Sequence, residues 1–323
     1  MTMPPSSQDD APGGPGPEEA IDRLAQVLGA ALVGHDALIE RLLIAVLAGG
    51  HVLIEGAPGL AKTRAVRALA AGIDAGFARI QCTPDLLPSD LTGTTILGPG
   101  GGFVFSEGPV FHNLVLVDEI NRAPPKVQSA LLEAMAERQV TTSGVTRPLP
   151  NPFMVVATQN PIEHEGTFPL PEAQLDRFLL HVVLDLPDAA AERGILDLME
   201  AGGETLALAG TPICTTDLLA AREAAARVHL SDLLRDYIVR LVMASRLPPL
   251  RRDIAHPVSP RGTLAAAKAR AFILRRDHAL PEDVQAVAMD ALSHRLVPTW
   301  TAQADGVGRR MLVERMLGAV EAL

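Results

Sequence analysis

An α/β fold built on a parallel sheet and followed by an all-helical unit is what this 323-residue sequence predicts. Three observations carry that prediction. Short continuous apolar runs, His51-Val52-Leu53-Ile54-Glu55, Leu114-Val115-Leu116-Val117 and Phe153-Met154-Val155-Val156-Ala157, have the composition of strands buried on both faces. Helical patterns alternate with these runs, as crossover connections in a parallel sheet require. From Pro187 onward the composition changes, and Ala-rich helical patterns dominate. The length suits about two domains. A hydrophobic content of 48% supports a sizeable core, and with aromatics at only 3% its packing rests on Ala, Leu and Val.

In chain order, residues 1–17 are rich in Pro, Gly, Ser and Asp without apolar periodicity, so a disordered tail is expected. Ile21, Leu24 and Leu28 then mark one face of a first helix. Leu38, Leu42, Ala45 and Val46 mark a second, which ends at Gly49-Gly50. The strand His51–Glu55 enters Gly56-Ala57-Pro58-Gly59-Leu60-Ala61-Lys62-Thr63, and Arg64 to Ala71 continue as a helix. Lys62 is one of only three lysines, against 25 arginines, so a Lys-Thr pair here is not drawn from a lysine-rich background. The chemistry is that of a phosphate-cradling loop. Backbone amides line an anion at a helix N-terminus, a compact ammonium reaches the β and γ phosphates, and a Thr hydroxyl ligates Mg²⁺. Ala61 stands where the strict pattern has Gly. Alanine is unstrained there only at negative φ, so the loop's positive-φ positions are expected at Gly56 or Gly59.

Phe77 to Gln81 adds a sheet element. Thr94–Leu97 and Phe103–Phe105, around the glycine-rich tip Gly98-Pro99-Gly100-Gly101-Gly102, read as a hairpin. The run at Leu114 ends in Asp118-Glu119, two acids that need a cation at the carboxyl end of a buried strand, where open parallel sheets place ligands. Asp118 is expected in the metal shell, and Glu119 as the group that polarises an attacking water. A helix from Lys126 to Arg138 precedes a second hairpin, Gln139–Thr142 with Val145–Arg147. The strand at Phe153 ends in Thr158-Gln159-Asn160-Pro161, where Asn160 can orient water or contact the γ phosphate. A further strand is expected at Val182–Leu186.

The remainder reads as a linker over 188–210 and a helical unit over 211–323, after a core of 18–187. Leu234, Ile238, Leu241 and Ser245 line one long helix, and Pro281 opens another carrying Val284, Ala288 and Leu292. Ser259 is expected as an N-cap with Pro260 at the first helical position, putting Arg261 in an opening turn where a cation opposes the helix dipole unless an anion meets it. The pairs Arg251-Arg252 and Arg275-Arg276 read as solvated surface. The net charge of −10 and the scarcity of aromatic platforms disfavour nucleic acid as a partner. Cys82 and Cys214 have neither metal-ligand spacing nor a disulfide framework around them. No apolar stretch is long enough to span a bilayer and no signal peptide opens the chain, so a cytoplasmic protein without membrane insertion is expected.

From about Leu28 to the C-terminus the sequence resembles the MoxR group of AAA+ ATPases. The likeness is carried by Val33-Gly34-His35-Asp36, Glu55 to Thr63, Pro84 to Asp90, Asp118-Glu119-Ile120-Asn121-Arg122-Ala123-Pro124-Pro125, and Asn160 to Phe178. Ala61 is itself frequent in that group. The resemblance implies a P-loop NTPase αβα sandwich with an insertion in helix 2, a helical lid, and ATP with Mg²⁺ as cofactors. It also implies a homo-oligomeric ring, expected to be a hexamer. Arg177 matches the arginine finger that reaches a neighbouring subunit's ATP, Arg261 matches sensor 2, and Val33 and Gly34 fall where the adenine packs. The two hairpins correspond to the helix-2 insertion and the hairpin before sensor 1, as levers facing a ring's channel. The implied work is chaperone-like maturation of a protein client, often one with a von Willebrand factor A domain. A nucleic-acid motor on the same core, disfavoured by the lack of a winged-helix-sized segment after the lid, and a nucleotide-gated scaffold are the alternatives.

Overall fold

The computed structural model describes residues 16–57, 60–97, 101–161, 166–186, isolated positions between 189 and 200, and 211–322. Most of the predicted tail and linker, the hairpin tip 98–100, Pro58, Gly59 and residues 162–165 lie outside the described residues. Helices α1 (Pro17–Ala31) and α2 (Asp36–Ala48) lead into β1 (His51–Glu55) and α3 (Lys62–Gly72). Then come β2 (Ile73–Asp74), β3 (Phe77–Gln81), α4 (Pro88–Thr92), β4 (Gly93–Leu97), β5 (Phe103–Glu107), β6 (Leu114–Asp118) and α5 (Pro125–Glu137). The core closes with β7 (Gln139–Thr142), β8 (Val145–Pro148), β9 (Met154–Gln159), α6 (Glu172–Leu175) and β10 (Phe178–Val183).

Five strands form one sheet in the order β10-β1-β9-β6-β3, and every neighbouring pair is parallel. Successive side chains of a strand point to opposite faces, so Val52, Ile54, Leu116 and Val156 join a core with α1 to α3, while Leu53, Val115, Val117 and Val155 join a second with α5. The result is a three-layer sandwich. The last strand begins earlier than its apolar run predicts, at Phe178 rather than Val182. Its register is set by β1: His51 lies opposite Phe178 and Glu55 opposite Val183. The Leu184 amide still donates to the Glu55 carbonyl at 2.7 Å, after which the chain leaves the sheet and Leu186 is 77% exposed.

Both hairpins form as antiparallel pairs, β4 with β5 and β7 with β8. They brace each other: Arg147 places its guanidinium 3.8 Å from the Phe105 ring centroid, and Phe105 packs edge-on against Phe111.

The C-terminal unit comprises β11 (Ile213–Cys214), α7 (Thr215–Arg227), α8 (Asp232–Ala244), β12 (Ile254–His256), α9 (Arg261–Ile273), α10 (Pro281–Leu292), β13 (Val297–Pro298), α11 (Trp300–Ala304) and α12 (Arg309–Ala319). It is helical apart from two short additions, an antiparallel β12–β13 pair and β11, which pairs parallel with β2 and stitches the unit to the core. Its buried Ala266, Ala267, Ala288 and Val284 belong to the same apolar cluster as α1 to α3. Helix α9 starts one residue later than predicted: Pro260, not Ser259, is its N-cap, and no side chain caps it. Arg276 also differs from expectation. Instead of being solvated, it bonds Asp283 at 2.6 and 2.7 Å, because the α9–α10 turn brings the two together. Arg275 pairs with Glu18 and Asp22. No helix among the described residues is long and apolar enough to cross a membrane.

Candidate functional site

Parallel register decides where the site lies. Glu55 is opposite Gln159, and Gln81 is opposite Asp118, so the carboxyl ends of β1, β9, β6 and β3 share one edge of the sheet. Gly56 and Ala57 follow β1 at that edge, and Leu60 and Ala61 lead into α3. Helix α3 has eleven residues; its N-cap is Ala61, which makes no side-chain capping bond, and a helix N-terminus of this kind suits an anion. Contrary to the sequence expectation, Ala61 itself takes the left-handed conformation at φ 52°, while Gly56 is not among the positive-φ glycines. Gly59 lies outside the described residues, as does Pro58. Packing of α3, with Ala65, Val66 and Leu69 all at 0% exposure, outweighs a local penalty of roughly 1–2 kcal/mol.

The Lys62 ammonium donates to the carbonyls of Gly56, of Ala57 at 3.3 Å and of Gln159 at 3.4 Å, which holds it under the loop. Thr63 Oγ1 lies 3.4 and 3.5 Å from the two Asp118 oxygens. Asp118 is 5% exposed. Its charge is met by Arg79 Nε at 2.7 Å, and Thr158 Oγ1 donates to it at 3.0 Å. The same Thr158 hydroxyl accepts the Glu119 amide at 3.0 Å, which fixes the acid that follows.

Glu119 stands at φ 55°, ψ 52°, a left-handed position for a residue other than glycine. Such strain persists only where surroundings over-determine it. Here Gln81 Nε2 donates to Glu119 Oε2 at 2.9 Å and Arg122 Nη1 at 3.2 Å. Asn160 is buried, with its carbonyl accepting Asn121 Nδ2 at 3.3 Å. Lys62, Thr63, Asp118, Glu119 and Asn160 are therefore gathered at one sheet edge, with Gly56, Ala57 and Leu60 in the loop beside them.

The remaining predicted residues lie in other elements. Val33 and Gly34 form the turn between α1 and α2, Val33 being 38% exposed and Gly34 at φ 78°. Arg261 is exposed at the first turn of α9. Arg177 is exposed between two residues held by the helical unit: Asp176 meets Arg295 at 3.3 Å, and the Phe178 carbonyl accepts Arg295 Nη2 at 2.9 Å and His294 Nε2 at 3.0 Å.

Sequence reasoning missed Arg79, Gln81, Arg122, Thr158 and His181. Gln81 and Arg79 carry a signal only once β3 is known to lie beside β6. His181 bonds Glu55 at 2.8 Å; that bond, aided by the charges of His181, Lys62 and Arg309, holds the Glu55 carboxyl below its usual range against the opposing effect of burial. His294, edge-on to His181, is pushed down to about 3 by burial and stays neutral. Burial drives Cys82 up to about 12, so its thiol is inert beside the two acids.

A helix start with no side-chain cap, a Lys-Thr pair on it and an acidic pair at the end of β6, one strand beyond β1's neighbour β9, define a P-loop nucleotide-binding class. Comparison with known proteins narrows it. Residues 51–180 match the family model described as ATPase family associated with various cellular activities (AAA), and residues 250–315 match an AAA lid domain. The chain is 47% identical to Chaperone MoxR1 of Mycobacterium tuberculosis over 94% of this chain and 81% of that one. It is 33% identical to Protein MoxR of Methylorubrum extorquens over 86% and 88%. A solved structure of a candidate ATPase from Cytophaga hutchinsonii superposes with a TM-score of 0.87 at 43% identity, covering 95% of this chain and 96% of that one. The chain belongs to the MoxR group of AAA+ ATPases.

Proposed function

We propose that the protein hydrolyses ATP in a Mg²⁺-dependent reaction at the seams of a homo-oligomeric ring, a hexamer, and uses the cycle to remodel a protein client in the cytoplasm. The gathering of Lys62, Thr63, Asp118 and Glu119 at one sheet edge carries this reading. The donor set suits magnesium, a hard cation bound through one or two carboxylates together with substrate phosphates: Thr63 Oγ1 and Asp118 supply oxygens within 3.5 Å of each other. Bound there, the ion would neutralise charge developing on the phosphates.

The amides at the start of α3 and the Lys62 ammonium bind phosphate oxygens, which attract a cation more strongly than the neutral carbonyls around it. Glu119 accepts the proton of the attacking water, and Asn160 orients that water. Val33 and Gly34 pack the base. Arg261 reaches the nucleotide from a lid spanning 211–323 over a core of 18–187. Arg177, exposed at the core surface, completes the site of the next subunit. An arginine finger contributes about 10³ to 10⁵ in rate, so an isolated subunit is nearly inactive.

The client is a protein, and the MoxR likeness favours one carrying a von Willebrand factor A domain. The chaperone name of the Mycobacterium tuberculosis relative supports this class of work. The test is ATP binding and turnover in two variants. Lys62→Ala loses ATP affinity, while Glu119→Gln keeps it and slows hydrolysis by about 10² or more. Turnover by Glu119→Gln at the parental rate would refute the general-base role.

A further inference from the structure

We propose that Arg79 acts as a resident counter-cation for the metal-supporting carboxylate, and that by releasing Asp118 when a divalent ion arrives it also frees the general base. This rests on the nucleotide reading above. Arg79 lies on β3, next to β6. Its Nε donates to Asp118 Oδ2 at 2.7 Å, and its Nη2 donates to Gln81 Oε1 at 3.1 Å. The second bond has a chemical consequence. A guanidinium only donates, so it fixes which end of the Gln81 amide is oxygen and turns Nε2 toward Glu119 Oε2, 2.9 Å away.

A continuous chain therefore runs from Asp118 through Arg79 and Gln81 to Glu119, with Arg122 on its far side. Asp118 is 5% exposed and needs a cation beside it, whereas Arg79 retains 41% side-chain exposure and has solvent to move into. One buried carboxylate beside the Thr63 hydroxyl cannot satisfy a guanidinium and a dehydrating divalent ion at full strength together. Occupancy by the metal weakens the Asp118–Arg79 bond. The bond that orients Gln81 then weakens, and with it the restraint on Glu119. In this design the base is held while the site lacks metal and is released when the site is loaded.

The experiment measures binding of a fluorescent N-methylanthraniloyl ADP by the full chain, in EDTA and in saturating Mg²⁺, for the parent, Arg79→Gln and Arg79→Lys. Without metal, Arg79→Gln leaves Asp118 uncompensated near the phosphates and binds the nucleotide more weakly than the parent. With Mg²⁺ it binds as tightly or more tightly. The tightening brought by Mg²⁺ is therefore about tenfold larger in the variant, roughly 1.4 kcal/mol of coupling. Arg79→Lys keeps the charge but cannot bridge both partners, so its Mg²⁺ tightening stays near the parent's while Glu119 loses its restraint. That loss is read as weaker protection of the Gln81 and Glu119 amides from hydrogen exchange in EDTA. Equal weakening of Arg79→Gln in both conditions would make Arg79 a plain structural support and overturn the proposal, as would an unchanged Mg²⁺ ratio. Failure of the parent to bind nucleotide at all would overturn the nucleotide reading itself.

Discussion

Asp283→Asn tests whether the lid is held by charge. The side chain is fully buried and accepts four bonds: Arg270 Nη1 at 2.7 Å, Arg276 Nη1 at 2.7 Å and Nη2 at 2.6 Å, and the Leu280 amide at 2.8 Å, which caps α10. Arg270 also reaches Glu40 of α2 at 2.9 Å, and Arg41 of α2 bonds Asp290 at 2.6 Å, so the cluster ties α9 and α10 to the core. Removing one partner from a buried pair costs about 3–5 kcal/mol. Both arginines keep 20–23% side-chain exposure and recover some hydration, which places the loss near 3 kcal/mol. That corresponds to roughly 6–12 °C in Tm. The pH dependence follows from the direction of the shift. Burial opposes ionisation of Asp283, but the bonds from Arg276, the Leu280 amide and Arg270 prevail, leaving its pKa below the ordinary 3.8. A depressed folded value means the stabilisation is complete above about 3.8 and disappears as pH falls through the folded pKa. Urea unfolding of parent and variant at neutral pH, repeated down to about pH 3, measures the gap. A loss under about 1 kcal/mol, or a gap that does not narrow in acid, would refute the reasoning.

Two further outcomes follow from the same geometry. Ala61→Gly removes a Cβ from a left-handed residue and should raise stability by up to about 1 kcal/mol with ATP affinity unchanged; a destabilised variant in thermal melts would show that the methyl packs usefully. Mixing inactive Lys62→Ala with inactive Arg177→Ala subunits should restore some turnover, since certain seams then join an intact loop to an intact finger; no recovery in rings shown to be mixed would place Arg177 outside the neighbouring site.

The sheet was legible because strands covered on both faces leave continuous apolar runs, and three of its five strands, β1, β6 and β9, fall where those runs lie. Lys62, Thr63 and Asp118 were legible because their residue types are costly or rare where they stand. Ala61 was misjudged because local sterics argue for negative φ, while the burial of α3 fixes the backbone from outside the loop. Arg79 and Gln81 carry no local mark: Phe77–Gln81 reads as a sheet element without saying which strand lies beside it, and only the pairing of β3 with β6 brings them to the acids. Arg276 misled for the same reason, since its partner Asp283 becomes a neighbour only after the α9–α10 turn. The early start of β10 was hidden because register against β1, rather than hydrophobicity, decides it.

On the proposed reading, those long-range pairings also bear on how the lid communicates with a neighbouring subunit. Arg295 lies in the lid unit, yet it forms an ion pair with Asp176 and donates to the Phe178 carbonyl, the residues on either side of Arg177. It is also wedged against Gly262, where an added Cβ would sit 2.5 Å from its Nη1, directly after Arg261. One buried guanidinium thus touches the segments that carry both exposed arginines. On the proposed reading, Arg261 answers to the nucleotide of its own subunit and Arg177 to that of the next. A rotation of α9 that brings Arg261 to phosphate must move Arg295 or break its bonds to β10, and either event shifts the backbone bearing Arg177. Coupling between adjacent sites then requires no extended pathway. On that reading, a single side chain packed between a helix start and a strand start carries it.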